Sequence, residues 1–235
     1  MSVISLASPK GGVGKTTTAV TLAGEFAQAG AHVTLIDADP NRPLERWSGR
    51  PGKPDNIEVV LDDDENTILD NIQRARQRSK IVIVDLESTA NARVLYAVSQ
   101  SHLVVIPCQG SKLDADEAAV AIKMIRAQER AFKRKIEYAL LWSKIPVSYT
   151  TRNLRAIREQ FKAHKIPLLS VPLYQRDAFV TMFDIGGTIH TLRPDQAPGL
   201  PRARANAHAL AEAVVRRLRG QPPAETVATE SAANV

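Results

Sequence analysis

The chain has 235 residues, 44% of them apolar, with a formal net charge of +6 and one cysteine. That size can bury one substantial α/β core, and one cysteine excludes both a disulfide framework and any Cys-x-x-Cys metal or cluster site. No apolar run nears the roughly 20 residues that span a bilayer and the N-terminus lacks a secretory pattern, so a cytoplasmic protein is expected.

Val3 to Leu6 reads as a buried strand. It runs into Lys10-Gly11-Gly12-Val13-Gly14-Lys15-Thr16-Thr17, after which Ala19, Leu22, Ala23, Phe26 and Ala27 recur at helical spacing up to Gly30. A glycine-rich turn between a strand and a helix is a phosphate-binding loop. Its glycines let successive N–H groups converge, and the helix N-terminus adds partial positive charge. Lys15 suits the outer phosphates, and the Thr16 hydroxyl suits Mg²⁺. The ordinary loop has glycine where this chain has Pro9, and here a second lysine, Lys10, follows it.

Further strands are expected at Val33 to Ile36, Ile57 to Leu61, Ile81 to Val84, Leu103 to Ile106, Ala139 to Trp142 and Leu168 to Val171. Helices are expected near Thr67 to Arg78, Asn91 to Ser99, Asp114 to Phe132, Thr151 to Ala163, Asp177 to Phe183 and Arg202 to Arg219. This alternation predicts a single-domain α/β fold with a mostly parallel twisted sheet covered by helices on both faces. Residues 1–219 form the expected domain, and the Pro-, Ala- and Thr-rich residues 220–235 read as a disordered tail. Cys108, inside an apolar strand, reads as a buried inert thiol.

Ligands of such sheets sit at the carboxyl ends of the strands, where Asp37 and Asp39 end one strand and Asp85 ends another. Each could instead cap a helix or sit in a turn. Strand alternation would turn Asp37 and Asp39 the same way, one toward metal or lysine and one toward an attacking water. Glu87 reads as a cap of the following helix, with an approach to the outer phosphates as the alternative. Trp47 reads as a core aromatic or, alternatively, as part of an interface.

Together, KGGVGKTT, the strand-ending DADP and the strand IVIVD resemble the ParA/MinD group of deviant Walker ATPases, in matching order from residue 1 to about 219. The resemblance implies an ATP- and Mg²⁺-dependent ATPase working as a nucleotide-sandwich homodimer. In it Lys10 reaches the ATP of the other subunit. It implies Gly11, Gly12, Val13, Gly14, Lys15 and Thr17 on the phosphates, Thr16 with Asp37 and Asp85 at the metal, and Asp39 placing the hydrolytic water; Lys10, Lys15 and Asp39 are thus the catalytic set. Adenine contacts are assigned to Trp142 to Lys144 and Val171 to Tyr174, Pro172 among them.

Within the group, the polar tail argues against a membrane-inserting terminal helix of the MinD kind, and the lone cysteine against the metal-cluster relatives. A loop starting at residue 10 resembles the small plasmid partition type without an operator-binding domain. Asp37 to Trp47 and Gln175 to Phe179, followed by Met182, Gly186 and His190, are similar both to those partition proteins and to VirC-type relaxosome proteins. The implied functions are DNA partition with nonspecific DNA and a ParB-like centromere-binding adaptor at the nucleoid, or nucleotide-gated recruitment of conjugation or T-DNA complexes.

The charge suggests a polyanionic partner, with a solvated basic surface that has no partner as the alternative. The last sixteen residues carry only Glu225 and Glu230, which leaves +8 on residues 1–219. Arg152, Arg155 and Arg158 share a helix face, and with Arg216, Arg217 and Arg219 they are the first candidates for DNA phosphates. Further clusters lie at Arg74 to Arg78 and Lys123 to Lys135.

Overall fold

In the computed structural model, residues 1–64, 66–89, 91–147 and 152–221 are described. The chain order is β1 (Ser2–Leu6), α1 (Lys15–Gln28), β2 (Val33–Ala38), α2 (Pro43–Ser48), β3 (Ile57–Leu61), α3 (Ile68–Arg78), β4 (Ile81–Leu86) and α4 (Ala92–Gln100). It continues with β5 (Leu103–Cys108), α5 (Lys112–Phe132), β6 (Tyr138–Ile145), α6 (Arg152–Ala163), β7 (Leu173–Tyr174), α7 (Asp177–Asp184) and α8 (Leu200–Leu218). The seven strands form one parallel sheet in the order β3-β2-β4-β1-β5-β6-β7. The expected tail beyond Gln221 lies outside the described residues.

Strands packed on both faces need apolar side chains at consecutive positions, and the runs VISL, IVIV and LVVI supply them. Alternation sends Ile4, Leu6, Leu35, Ile83, Val105 and Leu141 into one core, beneath α1, α2, α7 and α8. It sends Val3, Ile36, Val82, Val84, Val104 and Leu140 into the other, beneath α3, α4, α5 and α6. Burying one such side chain fully contributes about 1.5–3 kcal/mol. Cys108 is buried, and burial pushes its thiol up to about 11, as an inert thiol requires.

Two expectations need correction. The short helix α2 has no periodic signature because it is six residues long. It forms because Pro43 pre-sets its first turn and Asp37, from the end of β2, accepts the amides of Leu44 and Glu45 at 2.8 and 2.9 Å. The strand expected at Leu168 to Val171 is reduced to one parallel bridge between Leu168 and Leu140, and regular pairing resumes only at β7. Pro167 and Pro172 lack the N–H that a ladder needs, and β6 shifts register between Ser143 and Ile145, where Lys144 has φ 53°.

Trp47 is a core aromatic. It is 1% exposed and its Nε1 donates to the Gly187 carbonyl at 2.8 Å. The same seam requires Gly186, whose φ is 95° and where a Cβ would collide with the Pro51 carbonyl. Met182 is fully buried and His190 pairs with the buried Glu25 at 2.7 Å. Trp47 and Gly186 therefore join α2 and the turn after it to the turn that follows α7, and His190 joins the segment before α8 to α1.

Candidate functional site

The turn from β1 into α1 lies at the carboxyl ends of the central strands. Gly12 and Gly14 have φ of 74° and 94°, which non-glycine residues reach only with strain. The loop carbonyls are held from outside: Ser143 Oγ donates to Val13 O at 2.7 Å, and Lys144 Nζ and Gln109 Nε2 donate to Gly12 O at 2.7 and 3.0 Å. With those carbonyls bonded outward, the amides at the start of α1 are left for an anion. None of these three braces carries a sequence signal. Lys144 does so from a left-handed conformation that costs on the order of 1 kcal/mol.

Lys15 is buried, and burial lowers its pKa against the pull of Asp85, Asp39 and Glu87. Its Nζ donates to Ser88 Oγ at 2.7 Å, which ties the loop to the segment after β4. Thr16 Oγ1 donates to Asp85 Oδ2 at 2.6 Å. Asp85 is fully buried and its carboxyl is pushed up to about 7, by burial first, with Asp37 and Asp39 adding to the effect. Its other oxygen, Oδ1, is buried without a hydrogen-bond partner. A buried carboxylate oxygen with nothing to accept, beside a hydroxyl at a phosphate loop, is a donor set for a small hard cation. Among the described residues no three His, Cys, Asp or Glu side chains are grouped to cage a metal. A cation here would therefore complete its shell with water and phosphate oxygens, as Mg²⁺ does.

The two other predicted carboxylates divide. Asp37 lies opposite Asp85 in the β2–β4 register and is 2% exposed, with its pKa raised by burial. Its Oδ2 is already committed to the amides of α2, so its observed part is to anchor that helix. Strand β2 ends at Ala38, so alternation does not orient Asp39. Asp39 stands in the turn beyond and accepts from the Asn41 amide and side chain at 2.9 and 3.0 Å.

Glu87 does not cap α4; Asn91 does, accepting from Val94 N at 3.0 Å. Glu87 holds that cap by accepting from Asn91 Nδ2 at 2.5 Å, and it faces Arg93 at 3.8 Å. Arg93 Nε lies 3.0 Å from Asp62 Oδ2 without hydrogen-bond alignment, so this contact is charge against charge. Both side chains are buried, and Asp62, its carboxyl raised by burial, also accepts from Thr67 and Asn71. Arg93 thereby joins the ends of β2, β3 and β4 beneath the loop, a role with no sequence motif.

Lys10 is apart from the rest. Its Nζ is 2.5 Å from Asp114 Oδ1 at the start of α5, with the two side chains 30% and 2% exposed. Burial pushes the Asp114 carboxyl up, but the bonds from Lys10 and Ser111 outweigh it and hold the pKa below its usual value. At the neighbouring strand end, Ser143 pairs with Leu173, which brings together the two segments assigned to adenine. The Pro172 carbonyl there accepts from Asn206 at 2.7 Å. Of the candidate DNA arginines, Arg152, Arg155, Arg158, Arg216 and Arg219 are exposed, whereas Arg217 is held by Glu137 at 2.8 Å.

A parallel sheet with this loop, lysine pair and buried strand-end aspartate defines a P-loop fold of the ParA/MinD type. The chain matches the family model described as VirC1 protein over residues 1–216, and it belongs to that ParA-related family. It is 35% identical over 218 residues to Protein ParA of Rhizobium radiobacter, covering 93% of this chain and 98% of that one. To Protein virC1 of Rhizobium rhizogenes it is 29% identical over 191 residues, covering 79% and 82%. Among solved structures, apo McdA of Cyanothece superposes with a TM-score of 0.73 at 16% identity, covering 91% of this chain and 99% of that chain, a likeness of fold. Among the described residues no helix is long and apolar enough to cross a membrane.

Proposed function

We propose that this chain is an ATP-dependent DNA partition protein. An ATP-bound homodimer holds nonspecific DNA at the nucleoid and hydrolyses ATP when a ParB-like centromere-binding adaptor engages it. The cycle drives segregation of a plasmid or chromosome. The observation that carries this reading is the unequal placement of two lysines: Lys15 is buried within the loop on Ser88, while Lys10 lies outside it, partly exposed, on Asp114.

In this reading Lys15 and the amides of Gly11 to Thr17 hold the phosphates, Thr16 and Asp85 hold Mg²⁺, and Asp39 orients the attacking water. Asp37 supports the metal site by fixing the end of β2, and Pro172 borders the adenine. Mg²⁺ at this place would neutralise charge on the outer phosphates. Lys10 leaves Asp114 and completes the site of the other subunit, which makes hydrolysis depend on dimerisation.

The test is Lys10→Ala. It should retain fluorescent ATP binding by the monomer, lose ATP-dependent dimerisation in sedimentation, and lower hydrolysis about 10³-fold or more, as removing a transition-state cation does. Intact dimerisation would overturn the reading.

The match to the VirC1 family model favours a second reading, a nucleotide-gated scaffold that recruits relaxosome, conjugation or T-DNA complexes. ATPase assays with duplex DNA and the product of the adjacent gene separate the two. Stimulation supports partition, and a flat rate with both supports the scaffold.

A further inference from the structure

At the amino ends of the strands, opposite the phosphate loop, three basic segments distant in sequence meet. Where α5 ends and turns into β6, Arg126, Arg130, Lys133, Arg134 and Lys135 surround one shallow depression, with Glu129 among them. Glu137, the residue before β6, pairs with Lys135 at 2.6 Å and with Arg217 at 2.8 Å. That single carboxylate joins the depression to the last turn of α8, where Arg216 and Arg219 are exposed. In the other direction Arg134 is fixed by donating to the carbonyls of Ser99 and Ser101 at 2.7 and 2.9 Å. Arg134 and Arg76 of α3, with the N-terminal amine, bear on the half-buried His102 and add to the burial that lowers its pKa. The three segments are thus one belt around the amino ends of β4, β1, β5 and β6.

Apart from Lys135 and Arg217, which share Glu137, the long cations of the belt carry no ion pair. Among the described residues, no carboxylate lies within 4.0 Å of Arg76, Arg126, Arg130, Lys133, Arg216 or Arg219. Long cations left unpaired over a broad front suit a repeating line of phosphates better than one compact anion, which would need convergent, fixed donors. Strands of five or six residues put about 20 Å between this end and the nucleotide loop. The belt therefore needs neither nucleotide nor a second subunit to form.

We infer that this belt is a phosphate-tracking surface for duplex DNA, complete within one subunit, and that the dimer gains affinity by presenting two of them. The inference rests on the DNA-partition reading and places its DNA contact first at the α5–β6 turn and the end of α8. The Arg152 to Arg158 face is secondary: α6 starts near the opposite end of the sheet, where Leu154 approaches Gly110.

The experiment measures anisotropy of a labelled 30-base-pair duplex of arbitrary sequence between about 50 and 200 mM salt, with and without ATP. The proteins are the full chain, its Arg126→Gln/Arg130→Gln/Lys133→Gln form, and its Arg152→Gln/Arg155→Gln/Arg158→Gln form. The first triple variant should bind about tenfold or more weakly at low salt, with a log–log salt slope shallower by about 2–3. Its ATP binding and basal hydrolysis should stay at the unmodified level, which also reports that it folds. The second should keep most of the slope, and the unmodified protein should retain weak, salt-sensitive binding without ATP.

An unchanged slope in the first triple variant, beside normal binding by the parent, overturns the belt and leaves partition standing. Absence of duplex binding by a hydrolytically active parent overturns both. Binding that vanishes entirely without ATP refutes a surface complete in one subunit. Belt-dependent binding to phosphatidylglycerol vesicles in place of duplex refutes the assignment to DNA.

Discussion

At the carboxyl ends of the strands the carboxylates are buried and face specific partners, whereas at the amino ends most of the cations are exposed and unpaired. Asp85 accepts from Thr16, Asp37 from two amides of α2, and Asp62 faces Arg93, all with carboxylates at most 2% exposed. At the other end Arg126, Arg130 and Lys133 reach into solvent without an ion pair, although Glu129 lines the same depression. On the reading proposed above, the contrast follows from two tasks. Chemistry on one phosphate needs groups oriented beforehand, so the cost of desolvating them is met in the fold. Attraction to a polymer needs charge density, which works best unpaired and at long range.

The largest effect should come from removing the buried strand-end carboxylate whose second oxygen has no hydrogen-bond partner. Asp85→Asn should abolish Mg²⁺-dependent hydrolysis, lowering it about 10³-fold or more. In nucleotide-free, metal-free buffer the same change should stabilise the fold by about 1–3 kcal/mol, because an amide is cheaper than a carboxylate at a site with an orphaned oxygen. Denaturant midpoints read against ATPase rates test this, and loss of both stability and activity would mean that Asp85 is structural.

Next in size is the loop brace. Lys144→Met keeps the stem and removes the ammonium that holds the Gly12 carbonyl. Ser143→Ala does the same at Val13. Each should raise KM for ATP about 5- to 10-fold, the worth of roughly one hydrogen bond, with kcat changed less than twofold. A fall in kcat instead would place these residues in the transition state.

Asp114→Asn comes third. It should free Lys10 from its own subunit and shift ATP-dependent dimerisation to a severalfold lower protein concentration, as suits a partly exposed pair worth about 1 kcal/mol. Sedimentation over a concentration series reads it directly. A shift to higher concentration would show that the pair supports the dimerising form.

These tests also mark what could be read from residues alone. The loop, Lys10, Lys15, Thr16 and Asp85 were legible because their chemistry demands fixed residue types at fixed spacing beside an apolar strand. The sheet was legible because strands buried on both faces need unbroken apolar runs. Gln109, Ser143 and Lys144 were not, because any side chain that donates to a carbonyl can brace a loop, and topology alone brings β5 and β6 there. Asp37 was half legible: its carboxylate is at the expected place, but its use as the anchor of α2 depends on a helix too short to show a period. Likewise the basic clusters were visible one by one, and their joining through Glu137 was not.

The smallest expected effect probes the amino end through His102. Its Nδ1 accepts from the Val3 amide at 3.0 Å, a bond that requires the ring to be unprotonated there. Burial, then Arg134, Arg76 and the terminal amine, hold its pKa below the ordinary 6.5. A histidine depressed in the fold stabilises fully above its unfolded value, and that contribution is lost as pH falls through the folded value. The melting temperature should therefore drop by a few degrees as pH is lowered from 7 toward 5, and His102→Gln, which can accept at every pH, should flatten that part of the drop. Because part of the depression is repulsion between like charges, added salt should shrink it, and so should duplex DNA seated on the belt. Burial contributes to the same shift and is indifferent to both. An acid response untouched by salt and DNA would thus assign the His102 shift to burial alone, and the cations beside it would lose their claim to a common field.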